Sequence, residues 1–385
     1  MSKTCMIIAG EISGDKHAAR VVERMKRERD LRVIGIGGDR MKAAGVELLY
    51  HVKEMSVMGF GEIISKLPFF RKVRRDLSRV IAEEKPSAVI LVDYPGFNLR
   101  FAELAKRKGL KVVYFISPQI WAWGKGRIKK IRRTVDLMLT IFKFEEEMYK
   151  KENVTAHFIG HPLVDEMKIP RAGEVENFRE KYSSALSAVN KRRKFLALLP
   201  GSRMQEIKRI LPTMLESVKV LKMELADDGI ELETIIGCAP GVEDETYHKI
   251  VEQSGFNAHL CLEVELLMSS ADAGMVTSGT ATLEAALHNL PIVVVYKTSF
   301  ATYFIGRLLV RLKSISLVNI VAQQEIVHEL VQYGFKPPMA AAFVKEILTD
   351  NQAVDEIRRK YAELKNIIGG EGACDRAAEL ILKMI

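Results

Sequence analysis

Two short segments carry residues suited to binding phosphate. PGSR at residues 200–203 follows the apolar run KFLALL, and TSGTATLE at residues 277–284 follows the apolar run ADAGMV. In each, a predicted strand ends in small residues and a helix begins, and the free backbone amides of a helix start bind anions. Helix capping alone would explain either segment. Because both occur in one predicted sheet, the pair favours a site for a nucleotide diphosphate.

The side chains of these segments complete the predicted anion site. Arg203 lies at the start of the first helix, where its guanidinium would pair with a phosphate. Glu284 lies one turn into the second helix, where its carboxylate would accept hydrogen bonds from two neighbouring ribose hydroxyls. A third loop, IIGCAPG at residues 235–241, would lie against a base. The candidate binding residues are Gly201, Ser202, Arg203, Ser278, Gly279, Thr280, Thr282 and Glu284.

Acidic residues follow predicted strands in the first half of the chain. AGEISGD at residues 9–15 has the glycines of a tight turn, but it carries Glu11 and Asp15 where a phosphate loop would carry amides and a cation. Asp93, in LVDYPGFN, follows the apolar run AVILV. A turn cap for Asp93 and a hydrogen-bonding strut for Glu11 are the structural alternatives. We therefore interpret the loops AGEISGD and LVDYPGFN as turns that position carboxylate side chains.

Short apolar runs alternate with amphipathic stretches along most of the chain. Such an alternation is typical of parallel sheets covered by helices on both faces. The predicted strands are residues 4–9, 32–37, 87–92, 111–116, 135–141, 155–159, 194–199, 230–236, 257–262, 271–276 and 291–296. The predicted fold class is α/β, with two facing Rossmann-like, doubly wound parallel-sheet domains.

The boundary between these domains is predicted in a polar, proline-containing stretch. We expect an N-terminal domain at residues 1–165, a linker region at 166–190 and a C-terminal domain at 191–340. Residues 341–385 return to helical periodicity, and we expect them to pack back on the N-terminal domain of their own or a partner chain.

Composition limits the partners that the chain can have. The net charge is +12 over residues 1–170 and −3 over residues 171–385, so we expect an anionic partner on the first domain. The basic half lacks the interleaved aromatic and basic residues of RNA-binding modules, which disfavours a nucleic-acid partner. No apolar run approaches the ~18–20 residues of a spanning helix. The four cysteines have no C-x-x-C spacing and the chain has no D-x-D pair, so we expect no metal and no cofactor.

The segment VMGFGEIISKLPFFRKVRRDLSRV at residues 57–80 mixes apolar and basic side chains. Phe69 and Phe70 are adjacent, so we expect that they cannot share one buried face. This favours binding at the surface of an anionic membrane over a core-packed helix with a solvated charged face. The candidate membrane and acyl-chain contacts are Met58, Phe60, Leu67, Phe69, Phe70, Arg71, Lys72, Arg74 and Arg75.

Seven motifs together resemble one enzyme family. AGEISGD, VDYPGFN, SPQIWAW, FIGHPLVD, LPGSR, TSGTATLE and LVNIVAQQE occur in the order and spacing of lipid-A-disaccharide synthases, over nearly the whole chain. That family consists of inverting, metal-independent glycosyltransferases of the two-domain GT-B architecture. The resemblance implies that UDP-2,3-diacylglucosamine is the donor and 2,3-diacylglucosamine 1-phosphate (lipid X) the acceptor. The products would be the β-1,6-linked lipid A disaccharide 1-phosphate and UDP.

The resemblance also implies roles for individual residues. Arg203 would pair with the UDP diphosphate, and Glu284 would face the ribose. LVNIVAQQE matches the donor-site block of the family, which adds Asn319, Gln323, Gln324 and Glu325 as donor-binding candidates.

Glycosyl transfer needs a base for the attacking hydroxyl, and the first domain should supply it. Asp93 is our candidate, with Glu11 orienting the acceptor or the Asp93 loop. The family also implies a homodimer that works in the cytoplasm, peripherally bound to the inner face of the inner membrane. The alternative is another GT-B enzyme, a UDP-sugar transferase or epimerase with a soluble substrate.

Overall fold

The computed structural model describes residues 3–55, 66–121, 124–183, 192–298 and 314–385. The chain divides into two compact units. The first unit consists of residues 1–166 and 368–385, and the second of residues 167–367.

The first unit is built on a seven-stranded parallel sheet. Its strands are β1 (Lys3–Ala9), β2 (Leu31–Gly37), β3 (Val46–His51), β4 (Ala88–Val92), β5 (Lys111–Phe115), β6 (Leu137–Thr140) and β7 (Ala156–Phe158). They lie in the order β3-β2-β1-β4-β5-β6-β7. The order changes direction between β1 and β4, and open sheets of this kind bind ligands at that switch point.

Helices cover both faces of this sheet. They are α1 (Ile12–Glu28), α2 (Asp39–Ala43), α3 (Val52–Met55), α4 (Leu67–Glu84), α5 (Pro95–Arg107), α6 (Ile128–Thr134), α7 (Lys143–Lys151) and α8 (Pro162–Glu166). Successive residues of β1 point to opposite faces. Met6 and Ile8 therefore pack with α4, α5 and α6, whereas Cys5 and Ile7 pack with α1.

The second unit contains a six-stranded parallel sheet. Its strands are β8 (Arg192–Leu199), β9 (Ile230–Gly237), β10 (His259–Cys261), β11 (Ala273–Thr277), β12 (Ile292–Tyr296) and β13 (Glu329–Val331). The order is β10-β9-β8-β11-β12-β13, which places a second switch point between β8 and β11.

The helices of the second unit follow its strands. They are α9 (Ala172–Lys181), α10 (Met204–Asp227), α11 (Asp244–Ser254), α12 (Val264–Ser270), α13 (Thr280–Leu287), α14 (Leu317–Ala322), α15 (Pro337–Thr349) and α16 (Asn351–Ile368). The last helix, α17 (Ala373–Met384), packs on α1 in the first unit. The Asp165 carboxylate caps α17, since it accepts from the amides of Gly372 at 2.6 Å and Cys374 at 3.0 Å.

The α/β fold class with two parallel-sheet domains is confirmed. Two edge strands were missed, because only Val46 is buried in the strand Val46–His51 and the strand Glu329–Val331 has only three residues. The expected linker at 166–190 contains the helix α9. Residues 341–367 belong to the second unit rather than the first, because Ala341, Val344 and Ile347 are buried in the core of the second unit.

Candidate active site

Asp93 and the loop that carries Glu11 leave the first sheet at its switch point. Ala9, the last residue of β1, pairs with Val92, the last residue of β4. The chain therefore continues side by side into Glu11 and Asp93. The carboxyl edge of these two strands holds the two acids that the sequence selected.

The backbone of Asp93 has an unusual conformation. Asp93 and Tyr94 both have positive φ, at +44° and +48°, a region that costs about 1–3 kcal/mol for a residue other than glycine. Two buried side chains hold the turn. Asn98 Nδ2 and the Tyr114 hydroxyl each donate to the Asp93 carbonyl at 2.7 Å. These hydrogen bonds thus fix the backbone position from which the Asp93 side chain extends.

The Asp93 carboxyl has a raised pKa. Burial and the negative charge of Glu11 raise its pKa to about 6, while the Tyr94 amide and His17 act in the opposite direction. A carboxylate with a pKa close to the working pH is suited to take a proton in a transition state.

The two acids of AGEISGD have different roles. The Asp15 carboxylate is buried and accepts from the amides of Gly38 at 2.6 Å and Met41 at 3.0 Å, so it caps α2. Glu11 is exposed, and its side chain makes no capping hydrogen bond within the described residues. Asp15 is therefore structural, whereas Glu11 is available to a ligand.

The close approach of the Tyr94 ring explains why residue 10, at the start of the turn, is a glycine. A Cβ there would overlap the Tyr94 ring, whose hydroxyl donates to the Met55 carbonyl at 3.0 Å. The loop after β1 and the loop after β4 are consequently packed against each other.

The second unit has a cleft of about 1020 Å³ at the carboxyl edge of its own sheet. Both predicted phosphate segments line it, one following β8 and the other β11 at the switch point. The predicted residues in its wall are Gly201, Ser202, Arg203, Ser278, Gly279, Thr280 and Glu284. Cys238 and Ala239 of the third loop line it as well, and so does the stretch 262–266, which the sequence analysis did not select.

Glu206 shapes the first phosphate segment. Gly201 has φ +118°, and a Cβ there would meet the Glu206 side chain. The Ser202 amide donates to Glu206 Oε2 at 3.3 Å, and Arg203 Nη1 lies 3.6 Å from Glu206 Oε1. The side chain of Arg203 is 76% exposed, so its guanidinium is accessible to a ligand.

Two of the predicted donor contacts, Thr282 and Asn319, are buried and make hydrogen bonds within the fold. Thr282 is buried, and its hydroxyl donates to the Gly279 carbonyl at 2.8 Å. Asn319 is also buried. Its amide nitrogen donates to the Val327 carbonyl and Glu329 Oε1, and its oxygen accepts from the amides of Ile326 and Val327. The donor contacts of Thr282 and Asn319 stay predictions, although the polar atoms of both side chains make hydrogen bonds within the fold.

The hydrogen bonds of Asn319 hold the turn that carries the remaining predicted donor contacts. Gln323, Gln324 and Glu325 are exposed on that turn and are not part of the cleft wall described above. Glu325 Oε1 lies 3.2 Å from His328 Nδ1.

The helix α4 carries the predicted membrane contacts. Arg71, Lys72, Arg74 and Arg75 are exposed. The expectation that Phe69 and Phe70 cannot both pack inward is wrong, because Phe69 contacts Tyr50 and Phe70 contacts Phe97, and both are half-buried. Leu67 is also half-buried. Met58 and Phe60 lie outside the described residues.

Two features are absent from the residues that the structure describes. In that part of the chain, no cluster of three or more His, Cys, Asp or Glu side chains is arranged to hold a metal ion. The same residues include no helix with the length and apolar character needed to cross a bilayer.

Comparison with known proteins identifies the family. A family model for lipid-A-disaccharide synthetase matches residues 5–384. A lipid-A-disaccharide synthase from Myxococcus xanthus is 39% identical over 382 residues, covering 99% of this chain and 97% of the relative. One from Geobacter sulfurreducens is 36% identical over 386 residues, covering 100% and 98%.

The chain belongs to the lipid-A-disaccharide synthetase family. The resemblance inferred from the seven motifs is confirmed, and with it a glycosyltransferase that makes the lipid A disaccharide. The alternative of a soluble-substrate enzyme is not favoured.

Solved structures that are similar to this chain support the two-domain α/β fold. MurG from Acinetobacter baumannii has a TM-score of 0.59 at 15% identity, with full coverage of both chains. UDP-GlcNAc 2-epimerase from Neisseria meningitidis has a TM-score of 0.58 at 12% identity, again with full coverage of both. At these identities the likeness concerns the architecture alone.

Proposed function

We propose that the chain transfers 2,3-diacylglucosamine from UDP to the 6-hydroxyl of 2,3-diacylglucosamine 1-phosphate, with inversion. The hydroxyl oxygen forms a bond to the anomeric carbon of the donor, and the bond from that carbon to the diphosphate breaks. The hydroxyl proton goes to a base, and UDP leaves with the electron pair of the broken bond. Family membership over nearly the whole chain supports this reaction.

Asp93 is the proposed base. The observation that carries this assignment is a carboxyl group with a pKa of about 6 at the switch point of the first sheet. Such a group is largely ionised at neutral pH and still basic enough to accept the proton as the oxygen attacks. Glu11 is proposed to orient the acceptor, since its carboxylate is exposed beside Asp93 and raises the pKa of Asp93.

The cleft of the second unit is the proposed donor site. The helix starts at Met204 and Thr280 offer amides to the diphosphate, and Arg203 offers a cation to the charge that develops on the leaving group. Glu284 is proposed to accept from the ribose hydroxyls. Gln323, Gln324 and Glu325 are proposed to reach the donor from the turn that Asn319 holds.

The basic surface of α4 is proposed to bind an anionic membrane from the cytoplasmic side. Its four exposed cations would each contribute roughly 1 kcal/mol near such a surface. Peripheral binding at the inner face of the inner membrane would bring the enzyme to substrates with acyl chains. We further propose that the enzyme is a homodimer.

The product tests this function. The protein is incubated with both lipid substrates in detergent, and the product is examined by mass spectrometry and by NMR of its anomeric proton. A disaccharide 1-phosphate with a β linkage is expected. A product of α configuration, or transfer of an unacylated sugar in its place, would overturn the proposal.

A further inference from the structure

The segment after β5 is held by one helix at three points. We call residues 116–121 the Trp loop. The Trp121 indole donates to Glu145 Oε1 at 2.9 Å, and its ring meets the edge of Phe144 with centroids 5.3 Å apart. The Tyr149 hydroxyl donates to the Pro118 carbonyl at 3.3 Å. Glu145, Phe144 and Tyr149 all lie on α7, so this helix fixes the loop.

The Trp loop begins with backbone strain. Ile116 has φ +64°, which is an outlier for a β-branched residue. Its amide donates to the Leu139 carbonyl at 3.1 Å. Strain of about 1–3 kcal/mol persists only where the surroundings hold it in place, and such positions cluster at functional sites.

The Trp loop starts beside the proposed base. Phe115 pairs with Val92, and the Asp93 amide donates to the Phe115 carbonyl at 2.9 Å. The Tyr114 hydroxyl donates to the carbonyl of Asp93 itself. A shift of the chain after β5 would therefore act directly on the turn that carries Asp93.

The carboxyl group that anchors the loop is fully buried. Within the described part of the chain, neither Glu145 Oε2 nor Ser117 Oγ makes a hydrogen bond of good geometry. A carboxyl in such a setting is more stable with a proton on its free oxygen, because an ionised one would leave a negative charge buried without a cation. Burial accordingly raises the pKa of Glu145 to about 7, against the effect of the hydrogen bond from Trp121. The Tyr149 phenol beside it stays protonated, since its pKa is raised as well.

We propose that Glu145 is a positioning residue of glycosyl transfer. Its protonated carboxyl holds the Trp loop in place beside Asp93, and loss of that proton loosens the loop. The effect on transfer rests on the proposed function, whereas the coupling between the proton and the loop does not.

Tryptophan fluorescence tests the coupling without any substrate. The chain has two tryptophans, Trp121 and Trp123, which are two positions apart in the sequence, so the intrinsic emission reports on this segment. Between pH 5.5 and 8.5 we expect the wild-type emission to titrate with a midpoint near pH 7, and Glu145→Gln to lose that transition and to keep at most a smaller change near pH 6 from Asp93. The neighbouring Glu146→Gln is the matched control and should titrate like the wild type. A wild-type emission that does not change over this range, or a transition near pH 7 that persists in Glu145→Gln, would overturn the proposal.

Kinetics test the positioning role. Glutamine keeps an oxygen for the Trp121 indole, so Glu145→Gln should retain kcat/KM within about 3-fold at pH 6 and lose the wild-type decline above pH 7. Glu145→Leu removes the anchor, and a misplaced group near the chemistry costs about 100-fold in kcat/KM for the acceptor. UDP affinity should stay unchanged in both. An equal loss for acceptor and donor, with an unaltered pH profile, would make Glu145 merely structural and contradict the proposal. If the wild type showed the fluorescence titration but no turnover of the two lipid substrates, the result would count against the proposed function and not against the coupling.

Discussion

Glu11 and Asp93 leave neighbouring parallel strands at the same edge, and the charge of Glu11 helps to raise the pKa of Asp93 to about 6. Glu11 is exposed, whereas Asp93 is half-buried. Two like charges in one site hinder each other's ionisation. The pair therefore fits the proposed roles, in which Asp93 is the base and the charge of Glu11 raises the pKa of Asp93.

Replacing Asp93 by Asn should remove the base and leave the fold intact. Loss of a general base lowers rates by about 100- to 10,000-fold, so kcat should fall by that factor. UDP affinity, measured by calorimetry, should match the wild type because the cleft lies in the other unit. Near-wild-type turnover of this variant would exclude Asp93 as the base.

The pH dependence of kcat/KM should show an acid limb near pH 6. The base must be ionised to work, so the rate falls as the pH drops through the Asp93 pKa. Glu11→Gln removes the charge that raises this pKa and should move the limb to lower pH. Glu23→Gln, an exposed change on the same helix, serves as the control and should leave the limb in place. A limb that does not move in Glu11→Gln would argue against the coupling.

Arg203→Met should weaken UDP binding. A hydrogen bond to a charged group contributes about 1.5–3 kcal/mol, which corresponds to a loss of roughly 10- to 150-fold in affinity. Arg209 is exposed on the same helix and is not part of the cleft wall, so Arg209→Met is the matched control. Equal affinities of the two variants for UDP would refute the assignment of Arg203.

Asn319→Ala should destabilise the second unit. The substitution leaves two backbone amides and Glu329 without their buried partner, at a cost of about 3 kcal/mol or more. Thermal unfolding followed by calorimetry should show a lower Tm for that unit, and the exposed Asn351→Ala should not. If Asn319→Ala kept the wild-type Tm and lost only UDP affinity, a direct donor contact would replace the structural role.

Neutralising α4 should weaken membrane binding. Arg74→Gln with Arg75→Gln removes two exposed cations at roughly 1 kcal/mol each, so the partition coefficient on anionic vesicles should fall about 30-fold. Arg358→Gln with Arg359→Gln makes the same change on α16 and should have no such effect. Sedimentation with vesicles measures both, and equal binding would contradict a membrane role for α4.

The sequence predicted the fold class because short apolar runs alternate with amphipathic stretches, a pattern typical of parallel sheets covered by helices. The sequence also predicted that candidate ligand contacts follow β1, β4, β8 and β11. In open parallel sheets, ligands bind at the carboxyl ends of the strands beside a switch point. Residues 341–367 could not be assigned to a unit in this way. Their apolar stripe predicts a buried helix face but does not specify which core buries it.

The roles of several other side chains depend on hydrogen bonds that only the fold reveals. Asn319 and Thr282 have the same types and spacing as ligand contacts, and only their burial shows that they hold the fold. Asp15 caps a helix that begins 24 residues later, at Asp39. Glu145 gave no signal, because EEEMYK reads as an ordinary charged helix until the Trp121 indole is found beside one of its acids.

The most direct test is the release of UDP in detergent with EDTA present. UDP-2,3-diacylglucosamine is supplied with and without 2,3-diacylglucosamine 1-phosphate, and unacylated UDP-N-acetylglucosamine is the comparison. We expect UDP release only when both lipids are present and no effect of EDTA. Turnover of the unacylated sugar alone, or loss of activity in EDTA, would contradict a metal-independent transferase that acts on two lipids.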